Sequence, residues 1–420
     1  MDRKVTFTGE FFENACVNIP ASKSYVHRMA LCAALADGKS VISNVNFSND
    51  INATLDCIKI LGCSVNITDD KIEIKGGKFN KELSLYNCGE SASTLRFIIP
   101  IVLSAVGVGK FVGSETLLKR PLDTYFKVFG DNNIEFDYKT GEYLYAKGDF
   151  IKDEYFLNGD VSSQFITGML LALSHLGGKR KINIVNELLS KPYIDITLEV
   201  MEQFGVNVDY SENTFTIQDS TFKPQVLSAQ GDYSQSAFFL VAAMLGGKIE
   251  LGNLPQKTSQ GDSVIVDLLK RMGGRIERCG DRLIAYKSEL KSMGTIDAKD
   301  FPDIVPPLAL LCTRCLGDTV ITNVSRLKIK ESDRILATAN LLNTLGADVK
   351  FDDNNIYIKG DTALHGGTVS SVNDHRIAMT AAVASIASKE SIIIEESESV
   401  KKSYPKFFED FVRLGGIKVE

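Results

Sequence analysis

A segment that recurs six times restricts this chain more than any other feature. Each copy is a leucine- or aromatic-rich amphipathic stretch closing on glycine, then a strand, a polar turn and a second strand. The copies are IKILGCSVNITDDKIEIKG, FKVFGDNNIEFDYKTGEYLYAKG, MEQFGVNVDYSENTFTIQ, LKRMGGRIERCGDRLIAYK, LNTLGADVKFDDNNIYIKG and the terminal FVRLGGIKVE, with their glycines at Gly62, Gly130, Gly205, Gly273, Gly346 and Gly415. The period is roughly 70 residues, and the sixth copy is cut short. Repetition on this scale means one supersecondary unit used again and again, since a single unit cannot bury its own apolar face.

Ahead of each copy lies a second kind of helix, apolar on every side: SKSYVHRMALCAALADG, SASTLRFIIPIVLSAVG, SSQFITGMLLALSHLGG, YSQSAFFLVAAMLGG, DIVPPLALLCTRCLG and DHRIAMTAAVASIAS. All-round apolarity predicts a buried helix, and a strand such as KINIVN or TVITNV follows. Each unit therefore reads β-α-β-α-β-β, an α/β fold, with three units per domain. Domain boundaries are expected at 20–228 for the first domain and at 1–19 plus 229–420 for the second. The change falls near Gln225–Gln230, where KPQVLSAQ has no periodicity, and the strand before Pro20 goes with the second half.

Charge narrows the partners. A net charge of −6 and a pI near 5.5 argue against a nucleic-acid or membrane-surface binder, so clustered basic residues serve small anions locally. The N-terminus lacks the basic and apolar regions of a signal peptide, and no stretch reaches the roughly 18 apolar residues of a membrane span. A cytoplasmic protein acting on a metabolite is expected. Cys32, Cys57, Cys312 and Cys315 fall in apolar runs and read as buried core rather than disulfides. Cys312 and Cys315 form a lone CxxC without a second ligand pair, so no metal site is expected.

Each buried helix opens on Ser, Asp or Asn with Lys, Arg or His close by. Free N–H groups and the positive end of the macrodipole make a helix start attractive to anions, and added cations strengthen it. Ordinary N-capping explains any one such start on its own.

The motifs PASKSYVHR, GESASTLR, LKRP, GDVSSQF, SKPYID, GDYSQSAFFL, IKESDR, NDHR and KKSYP occur in the order and at about the spacing of the EPSP synthase family, which the chain resembles over essentially its whole length. The resemblance implies a two-domain inside-out α/β barrel of six βαβαββ repeats, whose active site lies in a cleft that closes on the substrates. It also implies the reaction: the enolpyruvyl group of phosphoenolpyruvate passes to the 5-hydroxyl of shikimate 3-phosphate through a tetrahedral ketal, releasing phosphate. No cofactor takes part, and the enzyme is expected to be a monomer. Both substrates are polyanions, and Lys23, Arg28, Arg96, Arg120, Lys330, Arg334, Arg376 and Lys402 supply the cations such a site needs.

By the same resemblance, Lys23, Ala92, Arg120, Gln164, Arg334, Arg376 and Lys402 are the expected phosphoenolpyruvate ligands. Lys23, Ser24, Arg28, Ser162, Ser163, Gln164, Ser190, Tyr193, Asp303 and Lys330 are those expected for shikimate 3-phosphate. Asp303 resembles the base at the acceptor hydroxyl and Glu331 the donor to the methylene carbon, with Lys23 and His375 sharing the proton traffic. Each residue also has a plainer reading. Ser162, Ser163 and Asp303 suit N-caps, Tyr193 suits packing beside Pro192, Glu331 and Arg334 suit a surface i,i+3 pair, and His375 suits a capping or exposed position.

Two positions depart from the family pattern: Glu90 replaces the usual asparagine and Ala92 the usual glycine of the phosphoenolpyruvate loop. In this family glyphosate competes for that loop, and a β-methyl at Ala92 would intrude on it. The nearest rival is UDP-N-acetylglucosamine enolpyruvyl transferase, but its family carries a loop cysteine that VGSETLLKRP lacks.

Overall fold

Where the repeat places its two kinds of helix, the chain forms two kinds of helix. The computed structural model describes residues 1–388 and 390–420, which divide into a first unit, Ala21–Ala229, and a second, Met1–Pro20 with Gln230–Glu420. The first unit holds α1 (Lys23–Leu35), α2 (Asn49–Ile60), α3 (Ala92–Ala105), α4 (Glu115–Leu118), α5 (Asp123–Asp131), α6 (Ser163–Leu176) and α7 (Lys191–Gln203). The second holds α8 (Tyr233–Gly246), α9 (Ile265–Arg271), α10 (Val305–Cys312), α11 (Arg334–Thr344), α12 (His375–Ala387) and α13 (Phe407–Arg413).

The apolar helices α1, α3, α6, α8, α10 and α12 are buried along most of their length: α8 is buried from Tyr233 to Met244 and α12 from His375 to Ile386. At about 1.5–3 kcal/mol per fully buried large side chain, they supply a substantial share of the burial energy of both units. Amphipathic α7 instead buries one face, through Ile194, Ile196, Thr197, Val200 and Met201. Close packing of α6 on α3 depends on Gly168, where an added Cβ would lie 2.5 Å from the carbonyl oxygen of Arg96.

Among the described residues, each sheet has four strands. Residues 85–87 pair in parallel with 108–112, which pairs antiparallel with 143–147, and 135–139 closes the far edge. The parallel step is bridged by a buried helix, the crossover that parallel neighbours require. The same order recurs at 154–157, 180–184, 214–217 and 208–211.

Three sheets are completed by strands distant in sequence. Val226–Ser228 lies parallel to residues 41–43, so the aperiodic stretch before Gln230 contains a strand too short to show alternation. Cys16–Asn18 pairs with residues 250–252. Arg3–Phe7 inserts antiparallel between 392–394 and 417–419, so the sixth repeat is not truncated: the N-terminus supplies its missing strand.

Five of the six repeat glycines take positive φ after their helices, a conformation that costs other residues energy. Gly130 differs. Its helix α5 continues to Asp131, and Asn133 at φ 55° takes the left-handed position instead. Cys312 and Cys315 are buried, but Cys315 lies past the end of α10 rather than within it. The Cys315 thiol and burial hold the Cys312 thiol well above its ordinary range, leaving it unreactive. Among the described residues, no helix is long and apolar enough to cross a membrane, and no group of His, Cys, Asp or Glu is arranged to hold a metal ion.

Candidate active site

In the first unit, the expected residues gather at the starts of buried helices and of α7. Lys23 opens α1, and its Nζ lies 2.6 Å from Oδ2 of Asp50 in the first turn of α2. Arg28 is buried one turn further on. It donates to the Ser24 carbonyl (2.8 Å), the Thr197 hydroxyl (2.7 Å) and the Tyr193 carbonyl (2.9 Å), and stacks over Phe97. Its fork thus fixes Ser24 and Tyr193, and burial pushes its pKa down to about 10.

Ser190 adopts φ 55° at the head of α7, and its carbonyl accepts from Tyr193 N at 3.1 Å. Ser162 caps α6 by accepting from Gln164 N at 3.3 Å, with Ser163 as the first helical residue. Gln164 spans two elements: Oε1 accepts from Arg96 at 2.9 Å, and Nε2 donates to Ser93 Oγ at 2.9 Å. Arg96 also donates to the carbonyl of Pro121, next to Arg120. Ala92 is the first residue of α3, after the cap Ser91 and exposed Glu90.

The second unit contributes a buried charge network. Asp303, in a single turn of 3-10 helix before α10, accepts from Arg334 at Oδ1 (2.8 Å) and from Arg376 at Oδ2 (3.1 Å), and the Lys330 ammonium pairs with Oδ1 at 3.4 Å. Arg334, the first residue of α11, is 1% exposed and also donates to Glu331 (2.6 Å) and Asp374 (2.7 Å). Burial opposes its charge, yet Asp374, Glu331 and Asp303 together hold it above the ordinary arginine range. Glu331 and Arg334 are therefore not an exposed surface pair. Asp374 caps α12 and is fully buried, which leaves His375, 1% exposed, neither the cap nor solvent-facing. Lys402 closes a short 3-10 helix and donates to the Asn373 carbonyl at 2.6 Å.

Several members of these networks were not singled out by the motif comparison. Asp50 and Asp374 neutralise Lys23 and Arg334. Asp262 is buried and accepts from the Ser234 hydroxyl; burial, then the charge of Asp303, push its carboxyl up to about 7. Asp374 sits inside the NDHR motif, but Asp50 and Asp262 lie in stretches whose pattern reads only as helix starts.

A family model described as EPSP synthase (3-phosphoshikimate 1-carboxyvinyltransferase) matches residues 13–411. The chain belongs to the EPSP synthase family. It is 43% identical to the 3-phosphoshikimate 1-carboxyvinyltransferase of Clostridium botulinum, with 95% of each chain covered. The corresponding protein of Clostridioides difficile is also 43% identical, again over 95% of each chain. Among solved structures, an EPSP synthase from Acinetobacter baumannii superposes with a TM-score of 0.84 at 24% identity over the full length of both chains, a likeness of fold.

Proposed function

We propose that this chain transfers the enolpyruvyl group of phosphoenolpyruvate to the 5-hydroxyl of shikimate 3-phosphate and releases phosphate, with Asp303 and Glu331 moving the protons. The observation that carries the residue assignment is Asp303 with Glu331 on one buried guanidinium, that of Arg334, with Lys330 and Arg376 also on Asp303. Asp303 and Glu331, in one network with three cations and the buried Asp374, match a reaction between two polyanions that needs a proton acceptor and a proton donor.

In the proposed sequence, the 5-hydroxyl oxygen attacks C2 of phosphoenolpyruvate while its proton passes to Asp303. Glu331 delivers a proton to C3, which becomes the methyl of a tetrahedral ketal. Elimination then breaks the C2–O bond to phosphate, and the methyl returns a proton to Glu331. The cations on Asp303 weaken it as a base. Substrate phosphate and carboxylate groups would compete for the same arginine forks, because guanidinium binds both bidentately, and would release Asp303 for its task. Arg334 likewise favours ionised Glu331, so donation requires a dry environment that opposes this pull. Lys23, Arg120, Gln164 and the serines of α6 and α7 are assigned to holding the substrates.

UDP-N-acetylglucosamine enolpyruvyl transfer shares the donor substrate, but VGSETLLKRP offers no cysteine for its loop. The reading includes a cytoplasmic monomer using small-molecule substrates alone, which sedimentation would check. A coupled phosphate-release assay tests the reaction: turnover is expected with shikimate 3-phosphate and none with UDP-N-acetylglucosamine, and the reverse would overturn it.

A further inference from the structure

A chain of buried hydrogen bonds in the first unit has no part in the chemistry above. His27 Nδ1 lies 2.7 Å from Thr54 Oγ1, which lies 2.7 Å from Thr94 Oγ1. Thr94 Oγ1 donates to Ser91 Oγ at 2.8 Å and sits 3.4 Å from the carbonyl oxygen of Asp50. A hydroxyl has one hydrogen. With that of Thr94 directed to Ser91, Thr54 is the donor to Thr94, and the hydrogen between His27 and Thr54 belongs to the ring.

His27 is thereby the Nδ1–H tautomer, with a bare lone pair at Nε2. The far side of the ring agrees: Nε2 is buried without a hydrogen-bond partner among the described residues, and the Phe97 ring meets the imidazole edge-on. An N–H there would be an unsatisfied buried donor, the costlier alternative. Burial, then Lys23 and Arg28 on the same helix, keep the ring neutral; neighbouring α2 carries Asp50, paired with Lys23, and the exposed Asp56–Lys59 pair.

The two ends of this chain reach the candidate site. His27 follows Lys23 by one turn of α1, and the Asp50 that touches the ladder through its carbonyl holds the Lys23 ammonium. Ser91, where the ladder ends, caps α3 immediately before Ala92. We propose that His27 is a positioning residue: through Thr54 and Thr94 its Nδ1–H holds the Lys23–Asp50 pair and the 89–92 turn in register for phosphoenolpyruvate. The inference rests on the function proposed above.

Asparagine places an amide N–H close to the position of histidine Nδ1, whereas glutamine places one near Nε2. His27→Asn should keep the KM for phosphoenolpyruvate within about twofold, while His27→Gln and His27→Leu raise it about tenfold, the worth of one buried hydrogen bond. Because Lys23 is assigned to both substrates, the KM for shikimate 3-phosphate should follow in the same direction, with His27→Asn again close to the wild type. Thr54→Val breaks the chain without touching the ring and should repeat the glutamine result. Nitrogen NMR of the labelled wild type, which has four histidines, should show His27 protonated at Nδ1. Equal KM values for phosphoenolpyruvate in all His27 variants, a loss in His27→Asn as large as in His27→Gln, or an Nε2–H ring would each overturn the inference. Absence of any wild-type turnover would instead sink the proposed reaction, while the NMR result would still read the tautomer.

Discussion

Arg334 donates from Nη1 to Oδ1 of Asp303 at 2.8 Å, and the same guanidinium holds Asp374 and Glu331. A side chain with three carboxylate partners and 1% exposure is tied into the fold as firmly as into the site. Arg334→Ala strands Asp374, which is fully buried, without its counter-ion. The expected cost is about 3–5 kcal/mol, read as a lowered urea midpoint at unchanged slope.

Glu331→Ala separates chemistry from stability at the same guanidinium. Arg334 keeps Asp374 and Asp303, so stability should fall by less than about 1 kcal/mol. Turnover should fall by about 10²–10⁴, the usual worth of a proton-transfer group, while shikimate 3-phosphate still binds. Retention of more than about a tenth of wild-type turnover would remove Glu331 from its role as donor.

Asp303→Ala should likewise fold and lose turnover by about 10²–10⁴. It removes the carboxylate that separates Arg334, Arg376 and Lys330. A variant that kept its rate would rule out Asp303 as base, and calorimetric titration with shikimate 3-phosphate would show whether binding had been lost instead.

Asp262 gives a pH signature. Its native pKa, raised to about 7 by burial and then by Asp303, exceeds its unfolded value. Between about pH 4 and 7 the unfolded chain releases this proton first, so the contribution of Asp262 to stability is complete in acid and is lost as pH rises through 7. Asp262→Asn, which keeps an acceptor for Ser234, should match the wild type near pH 4 and exceed its stability at pH 8. A constant stability difference across that range would contradict the assignment.

Ala92 at the head of α3 predicts tolerance to glyphosate. Overpacking a tight site costs about 1–3 kcal/mol, roughly a 5- to 150-fold loss in affinity. Ala92→Gly should therefore tighten glyphosate inhibition by a factor in that range with little change in the KM for phosphoenolpyruvate. An unchanged inhibition constant would leave only the better helix propensity of alanine, worth about 1 kcal/mol.

The amino-acid sequence alone determined the alternation of apolar and amphipathic helices, because helical periodicity and burial are local properties of composition, and α8 and α12 emerge as buried as their residues demand. Tertiary structure decided how the sheets are completed: Arg3–Phe7 pairs with residues more than one domain's length away in sequence, and Val226–Ser228 pairs beside residues 41–43. Strands of three to five residues carry too little alternation to announce such partners. The same division runs through the site. The cationic motifs were legible as residues, since anion chemistry demands those side chains. That Asp50, Asp262 and Asp374 stand against them, that His375 is buried, and that His27 faces Thr54 depended on which helix starts the fold brought together, a relation that local pattern does not encode.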